Sequence, residues 1–248
     1  MKPKYLLFDA DDTIFDFKRG ERESIYEVMS QNGLPTTPEV LDKYSTINLQ
    51  LWKALERGEV TREQLFVLRF SRLLDYIRQE SVWHDEWNLD EIVWEEMDGA
   101  TFNDMFLNAL GRQSFLFADA EAIIKDLAKE YTLALVTNGV ERVQRARLAA
   151  SPIADCFDAL FISEVLGVEK PNPLFFDAVC EHFGIEDRQE ALVIGDSLTA
   201  DIRGANNAGI RSCWFNPYNH QPPTTENAAI PDYTIQSLRE LPMLLGII

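Results

Sequence analysis

Two hydrophobic patterns divide the chain. Residues 5–8, Tyr-Leu-Leu-Phe, form a short apolar run that reads as a buried strand. From about residue 19 to 110 the spacing is helical. In RGERESIYEVMSQNG the apolar positions are Ile25, Val28 and Met29, and Gly33 is a stop. TPEVLDKYSTINLQLWKALERG predicts one helix or a pair, closed by Gly58. Thr61 to Glu63 then open TREQLFVLRFSRLLDYIRQ, which carries a broad apolar face. NLDEIVWEEMDGATFNDMFLNALG completes a module of four or five helices without a clear strand.

From about residue 115 short apolar runs alternate with helical stretches. DAEAIIKDLAKE precedes YTLALVTNG, and ERVQRARLAA precedes FDALFIS. PLFFDAVCEHFG precedes EALVIGDS, and LTADIRGANNAG precedes RSCWFN. This alternation predicts parallel βαβ units in a doubly wound α/β sheet. The first strand needs partners and finds them only in that sheet. The helical module is therefore read as an insertion: residues 1–15 and 115–248 form the α/β core, and residues 16–114 the inserted helical domain. NPYNHQPPTTENAAIPD is the one long loop.

The 248 residues allow one or two domains. With 41 acidic against 23 basic side chains the formal net charge is -18, which argues against a nucleic-acid polymer and an anionic membrane as partners. The acids that follow the first strand leave no room for a signal peptide, and no apolar run is long enough to span a bilayer. Cys156, Cys180 and Cys213 form no C-x-x-C pair and read as reduced thiols of a cytoplasmic protein. His84, His182 and His220 stand apart, which leaves little support for a histidine zinc site or a Ser-His-Asp hydrolase.

Candidate chemistry sits at the strand ends. In open α/β sheets ligands bind outside the carboxyl ends of the strands. The first strand ends in Asp9, Asp11 and Asp12, acids that repel each other unless something offsets their charge. The others end in Thr137-Asn138-Gly139, in GVEKPNP with Lys170, and in GDSLTAD with Asp196 and Asp201. Clustered carboxylates call for a cation, and Mg2+ suits oxygen ligands and phosphate. A hydroxyl, turn amides and a lysine make a phosphate cradle. Asp9 is placed to attack phosphorus and Asp11 to protonate the leaving oxygen, which requires surroundings that hold its proton. Asp12 reads as a structural acid of the turn.

The ordered motifs D-x-D-x-T, strand-Thr-Asn, Lys-Pro and G-D-x-x-x-D resemble the haloacid dehalogenase superfamily, and DADDT resembles its phosphatase branch, since the dehalogenases lack the acid at Asp11. The insertion is similar to that superfamily's helical cap. NLQLWKALERGEVT with LRF, LVTNG, EVLGVEKPNP and GDSLTADIRGANNAGI resembles the bacterial pyrimidine 5'-nucleotidases. The resemblance implies substrate held between core and cap, and Mg2+ held by Asp9, Asp196 and the backbone carbonyl of Asp11. It further implies an aspartyl-phosphate on Asp9, charge stabilisation by Thr137, Asn138 and Lys170, and a supporting role for Asp201 toward Lys170 or metal-bound water. The implied substrate is a small phosphate ester, a pyrimidine nucleoside 5'-monophosphate before a sugar phosphate or phosphoglycolate.

Within the cap, Asn48, Trp52 and Arg69 are candidate substrate contacts, against the plainer reading of cap packing and hydrogen bonding. Trp83, Trp87 and Trp94 read as packing aromatics. A phospho-receiver module also combines aspartates, Thr and Lys on a doubly wound sheet, but the large insertion and Asp11 disfavour it.

Overall fold

Strand β1 (Tyr5–Phe8) is apolar throughout because it lies in the middle of a sheet covered on both faces. Leu6 and Phe8 enter one hydrophobic cluster, and Leu7 the opposite one. The computed structural model describes residues 2–222 and 228–247. The chain divides into two compact units, one made of Met1–Phe17 with Ser114–Ile248, the other of Lys18–Gln113.

Besides β1, the sheet contains β2 (Thr132–Thr137), β3 (Ala159–Ile162), β4 (Ala191–Gly195), β5 (Arg211–Phe215) and β6 (Tyr233–Ile235). The spatial order is β3-β2-β1-β4-β5-β6, and every neighbouring pair is parallel. Phe8 pairs with Leu135 on one side and Ile194 on the other. The strand order reverses direction between β1 and β4, so their carboxyl ends flank the switch point where such sheets bind ligands. Sequence patterning missed β6, a three-residue edge strand with little apolar character. The long loop predicted over residues 216–232 falls partly on 223–227, which lie outside the described residues.

The inserted unit contains four long helices: α1 (Phe17–Gln31), α2 (Pro38–Glu56), α3 (Arg62–Glu80) and α4 (Gly99–Gly111). The stretch predicted as one helix or a pair is the single helix α2. Thr61 opens α3 with a capping box, accepting from the Gln64 amide while the Gln64 side chain accepts from its own. Tyr44, Phe70 and Phe106 pack with ring centroids 5.2–5.7 Å apart at the centre of this unit. Residues 81–98 form short 3-10 turns, and here one expectation changes. Trp87 is buried and stacks on His84 at 4.4 Å, but Trp83 is 79% exposed and does not pack, because a single 3-10 turn offers no continuous apolar face.

Around the sheet lie α5 (Ala120–Leu127), α6 (Glu141–Ala149), the one-turn α7 (Ser163–Leu166), α8 (Pro173–Phe183), α9 (Arg203–Ala208) and the one-turn α10 (Leu241–Leu244). Ile124 and Leu127 of α5 and Leu241 of α10 cover one face, while Phe175, Phe176 and Val179 of α8 and Ala205 of α9 cover the other. Each such side chain contributes roughly 1.5–3 kcal/mol by leaving water. This three-layer body makes the strand ends rigid platforms. No helix among the described residues is long and apolar enough to cross a membrane.

Candidate active site

The polar cluster begins one residue beyond the β1 core. The Asp9 amide donates to the Ile194 carbonyl at 2.8 Å, prolonging the ladder with β4 by one step. The chain then turns: the amides of Ile14 and Phe15 both donate to the Ala10 carbonyl, and the Asp12 amide donates to Phe15. Asp12 takes φ 57°, a left-handed conformation that aspartate tolerates better than most residues, in keeping with a structural place in the turn.

Lys170 is the hub. Its ammonium donates to Asp9 Oδ1 at 2.7 Å, Asp201 Oδ1 at 2.6 Å and the Val136 carbonyl at 2.7 Å, which uses its three hydrogens. The loop carrying it is fastened by Asn138: Asn138 Oδ1 accepts from the Lys170 amide, and Asn138 Nδ2 donates to the Lys170 carbonyl, both at 2.9 Å. Thr137, the last residue of β2, is buried and its hydroxyl oxygen accepts from the Gly139 amide at 3.0 Å. Asp201 Oδ2 accepts from the Ser197 amide at 3.0 Å. Asp196 follows β4, and its carbonyl is held by the Trp214 indole at 2.8 Å.

Asp9, Asp196 and Asp201 each present a carboxylate oxygen within 4.8 Å of the others. One lysine faces three acids, and the titration of the group reflects the excess. Burial, reinforced by Asp201 and Asp11 against the opposing pull of Lys170, pushes Asp9 up to about 8. Burial and the charges of Asp9, Asp201 and Asp12 hold Asp196 well above the ordinary carboxylate range. For Lys170 burial works toward neutrality, but Asp201 and Asp9 outweigh it and keep the ammonium charged. An all-oxygen set carrying more negative charge than the lysine offsets fits a hard divalent cation such as Mg2+.

The other acid is held differently. Arg147 Nη1 donates to Asp11 Oδ1, and Gln144 Nε2 donates to Asp11 Oδ2 at 2.6 Å. Both carboxyl oxygens of Asp11 are thus held by side-chain N–H donors of one helix.

Residues 3–209 match the family model for haloacid dehalogenase-like hydrolases. The chain belongs to this hydrolase family. It is 36% identical over 242 residues to the Bacillus subtilis protein named HAD-hydrolase YfnB, covering 98% of this chain and 95% of that one. It is 33% identical to the pyrimidine 5'-nucleotidase PynA of Streptococcus pneumoniae, covering 96% and 93%, and 30% identical to the pyrimidine 5'-nucleotidase YjjG of Escherichia coli, covering 99% of each. The crystal structure of YfnB bound to magnesium superposes with a TM-score of 0.86 at 34% identity, covering 99% of this chain and 100% of that one.

In this hydrolase the core candidates Asp9, Asp11, Thr137, Asn138, Lys170, Asp196 and Asp201 all lie in the α/β unit, at or just beyond the ends of β1, β2 and β4 and in the loop after α7. The three candidates of the inserted unit are placed differently from one another. Asn48 and Arg69 are buried, 4% and 2% exposed, and their polar atoms are committed within the unit. Asn48 donates to Glu21 Oε1 at 2.6 Å and accepts from Arg69 Nη1 at 3.3 Å, while Arg69 also donates to Asn103 Oδ1 at 2.5 Å. The Arg69 guanidinium lies 4.7 Å from the Phe106 ring centroid. The structure thus shows a polar core in place of two open side chains. Trp52 is half-buried, with the Arg62 guanidinium 5.8 Å from its ring centroid.

No sequence motif singles out Gln144 and Arg147, which lie on the helix ERVQRARLAA. A signal was present. A helix that covers a sheet needs an apolar stripe, and α6 offers only Val143, Ala146, Leu148 and Ala149 among nine residues. Its remaining inward positions had to be filled by polar groups with partners of their own.

A glycine sets the spacing at β4. A Cβ on Gly195 would stand well inside van der Waals contact of Asp201 Oδ2 and Cγ. Gly195→Ala is therefore expected to displace the Asp201 carboxylate from Lys170 and lower kcat by about 10-fold or more, as for a misplaced charge in a preorganised site. Steady-state kinetics beside a melting curve check this; unchanged kcat in the folded variant contradicts it.

Proposed function

We propose that this hydrolase is a Mg2+-dependent phosphomonoesterase acting through an aspartyl-phosphate on Asp9, with pyrimidine nucleoside 5'-monophosphates as its main substrates. The observation that carries the reading is the joining of Asp9 and Asp201 through the Lys170 ammonium, with Asp196 beside them. Asp9 and Asp196 would hold the metal, which when bound would supply positive charge against the transferring phosphoryl group. YfnB, solved with magnesium, supports that choice.

Asp9 attacks phosphorus in line with the leaving alcohol, whose oxygen takes its proton from Asp11. Asp11 then takes a proton from the water that hydrolyses the acyl phosphate. The Thr137 hydroxyl, the Asn138 amide and the Lys170 ammonium donate to the phosphoryl oxygens as charge builds on them. Asp201 keeps Lys170 in place between the carboxylates. The nucleoside preference rests on PynA and YjjG, each matched over nearly its whole length. Another small phosphate ester would use the same core chemistry.

A panel of phosphate esters tests the reading. Uridine 5'-monophosphate and cytidine 5'-monophosphate are expected to give higher kcat/KM than purine nucleotides, sugar phosphates and phosphoglycolate; a sugar phosphate as best substrate would move the assignment to that ester. Trp52 is the proposed base contact, because an indole can stack on a pyrimidine ring. Trp52→Ala is expected to cost about 1–3 kcal/mol with uridine 5'-monophosphate, roughly 5- to 150-fold in kcat/KM, and little with p-nitrophenyl phosphate. Equal loss on both substrates, with a lower Tm, would assign the ring to packing.

A further inference from the structure

The cluster around Asp11 includes groups that no motif predicts. Gln144 and Arg147 stand three positions apart on α6, so one helix face carries both. They reach the two oxygens of a single carboxylate: Gln144 Nε2 donates to Asp11 Oδ2 at 2.6 Å, and Arg147 Nη1 donates to Oδ1. Arg147 is fully buried, and its guanidinium is packed against aromatic rings, 4.5 Å from the Phe15 centroid and 5.9 Å from Phe17. Gln144 is 3% exposed. A buried arginine loses its hydration and side-chain freedom, which a merely solvating contact would not offset.

The backbone makes room for the clamp. A Cβ on Gly139 would collide with the Gln144 side-chain amide, so glycine in the turn after β2 lets that amide lie where it meets Asp11. On the other side, Phe15 both stacks under Arg147 and closes the turn that carries Asp11, through its hydrogen bonds with Ala10 and Asp12. Turn, helix face and glycine thus converge on the orientation of one carboxyl group.

We propose that Gln144 and Arg147 are positioning residues that fix the Asp11 carboxyl in the orientation from which it exchanges its proton with the leaving group and then with water. This rests on the reading of Asp11 as general acid and base. In the first step a bond forms between an Asp9 oxygen and phosphorus. The bond from phosphorus to the alcohol oxygen breaks, and its electron pair stays on that oxygen, which takes the Asp11 proton. In the second step water attacks phosphorus and gives a proton back to Asp11, while the bond from Asp9 to phosphorus breaks. A carboxyl free to rotate about its side-chain torsions would spend most of its time out of reach of both partners, and positioning of this kind is worth orders of magnitude in rate.

The leaving group reports on this directly. A nucleoside alkoxide needs a proton as its bond to phosphorus breaks, whereas p-nitrophenolate leaves readily without one. Gln144→Ala, Arg147→Met and Arg147→Lys are to be assayed with uridine 5'-monophosphate and p-nitrophenyl phosphate in saturating Mg2+, beside Asp11→Asn and with Tm measured for each. Gln144→Ala and Arg147→Met are expected to lose about 100-fold in kcat on the nucleotide and less than about 10-fold on the aryl ester, in the range of general-acid effects. Arg147→Lys, which keeps a donor, is expected to recover part of the nucleotide rate. Equal losses on both esters, or a gain on the nucleotide, would overturn the proposal. Gln144→Ala carries the test alone if Arg147→Met does not fold. If Asp11→Asn shows the leaving-group dependence and the α6 variants do not, the clamp fails and the acid-base reading stands. If Asp11→Asn itself lacks that dependence, the acid-base reading fails and the clamp with it.

Discussion

Asp9→Asn is expected to abolish turnover, lowering kcat by at least about 10^4-fold on every phosphate ester, as removal of a nucleophile does. The variant is also expected to fold. The buried site already favours the neutral form of this side chain, since Asp9 is pushed up to about 8. Asparagine is its neutral isostere, and Lys170 retains Asp201 and the Val136 carbonyl as acceptors.

The sign of the stability effect follows from the same shift. A carboxyl that binds its proton more tightly when folded than when unfolded gives the folded state its full advantage below about pH 4. That advantage is lost as pH rises toward 8. In metal-free buffer near pH 8, Asp9→Asn should therefore melt at or above the unmodified chain, while being inactive. Calorimetry and a phosphate-release assay on one preparation check both halves. A folded Asp9→Asn variant with near-normal phosphate release would remove Asp9 as nucleophile.

Metal removal carries the second large effect. EDTA is expected to reduce activity to background, and added Mg2+ to restore it, because one lysine does not offset three clustered carboxylates around a phosphate dianion. Binding also has a readout that needs no substrate. At a Mg2+ concentration about 100 times Kd the folded state gains about 2.7 kcal/mol, which for a chain of this size raises Tm by roughly 5–10 °C. Asp196→Asn should largely abolish that rise, since it removes one of two proposed metal carboxylates. Full activity in chelated buffer, or a Tm indifferent to Mg2+ up to millimolar concentration, would rule the metal out.

How far the sequence carried the reading differs between the two units. The α/β sheet was legible because buried parallel strands such as Leu192-Val193-Ile194 are apolar on both faces, and because the polar residues that end them break that run abruptly. Asp9 and Asp196 follow neighbouring parallel strands, where polar groups can meet, whereas Lys170 and Asp201 lie in a loop and a helical turn and were singled out by their motifs. β6 was not legible, because an edge strand of three residues needs no apolar pattern. The thin apolar stripe of α6 signals buried polar groups, but a polar helix face reads alike whether it meets water or a carboxylate, so it did not point to Gln144 and Arg147.

For Asn48 and Arg69 two readings stood side by side, substrate contact and hydrogen bonding within the cap. Their residue types suggest recognition, yet the structure joins them to Glu21 and Asn103 inside the helical unit. A buried guanidinium with such partners is held by the whole network. Trp83 likewise reads as packing by type, and only the 3-10 geometry of its segment explains its exposure.

The central claim is that Asp9 carries the phosphoryl group during turnover. Acid quenching of a single turnover of uridine 5'-monophosphate with Mg2+, followed by mass spectrometry of the intact chain and of its N-terminal peptide, measures that intermediate directly. The account predicts a transient species heavier by one phosphoryl group, located on the peptide containing Asp9 and absent from Asp9→Asn. Rapid turnover with no phosphorylated chain at any quench time, or with the group on another residue, would contradict it.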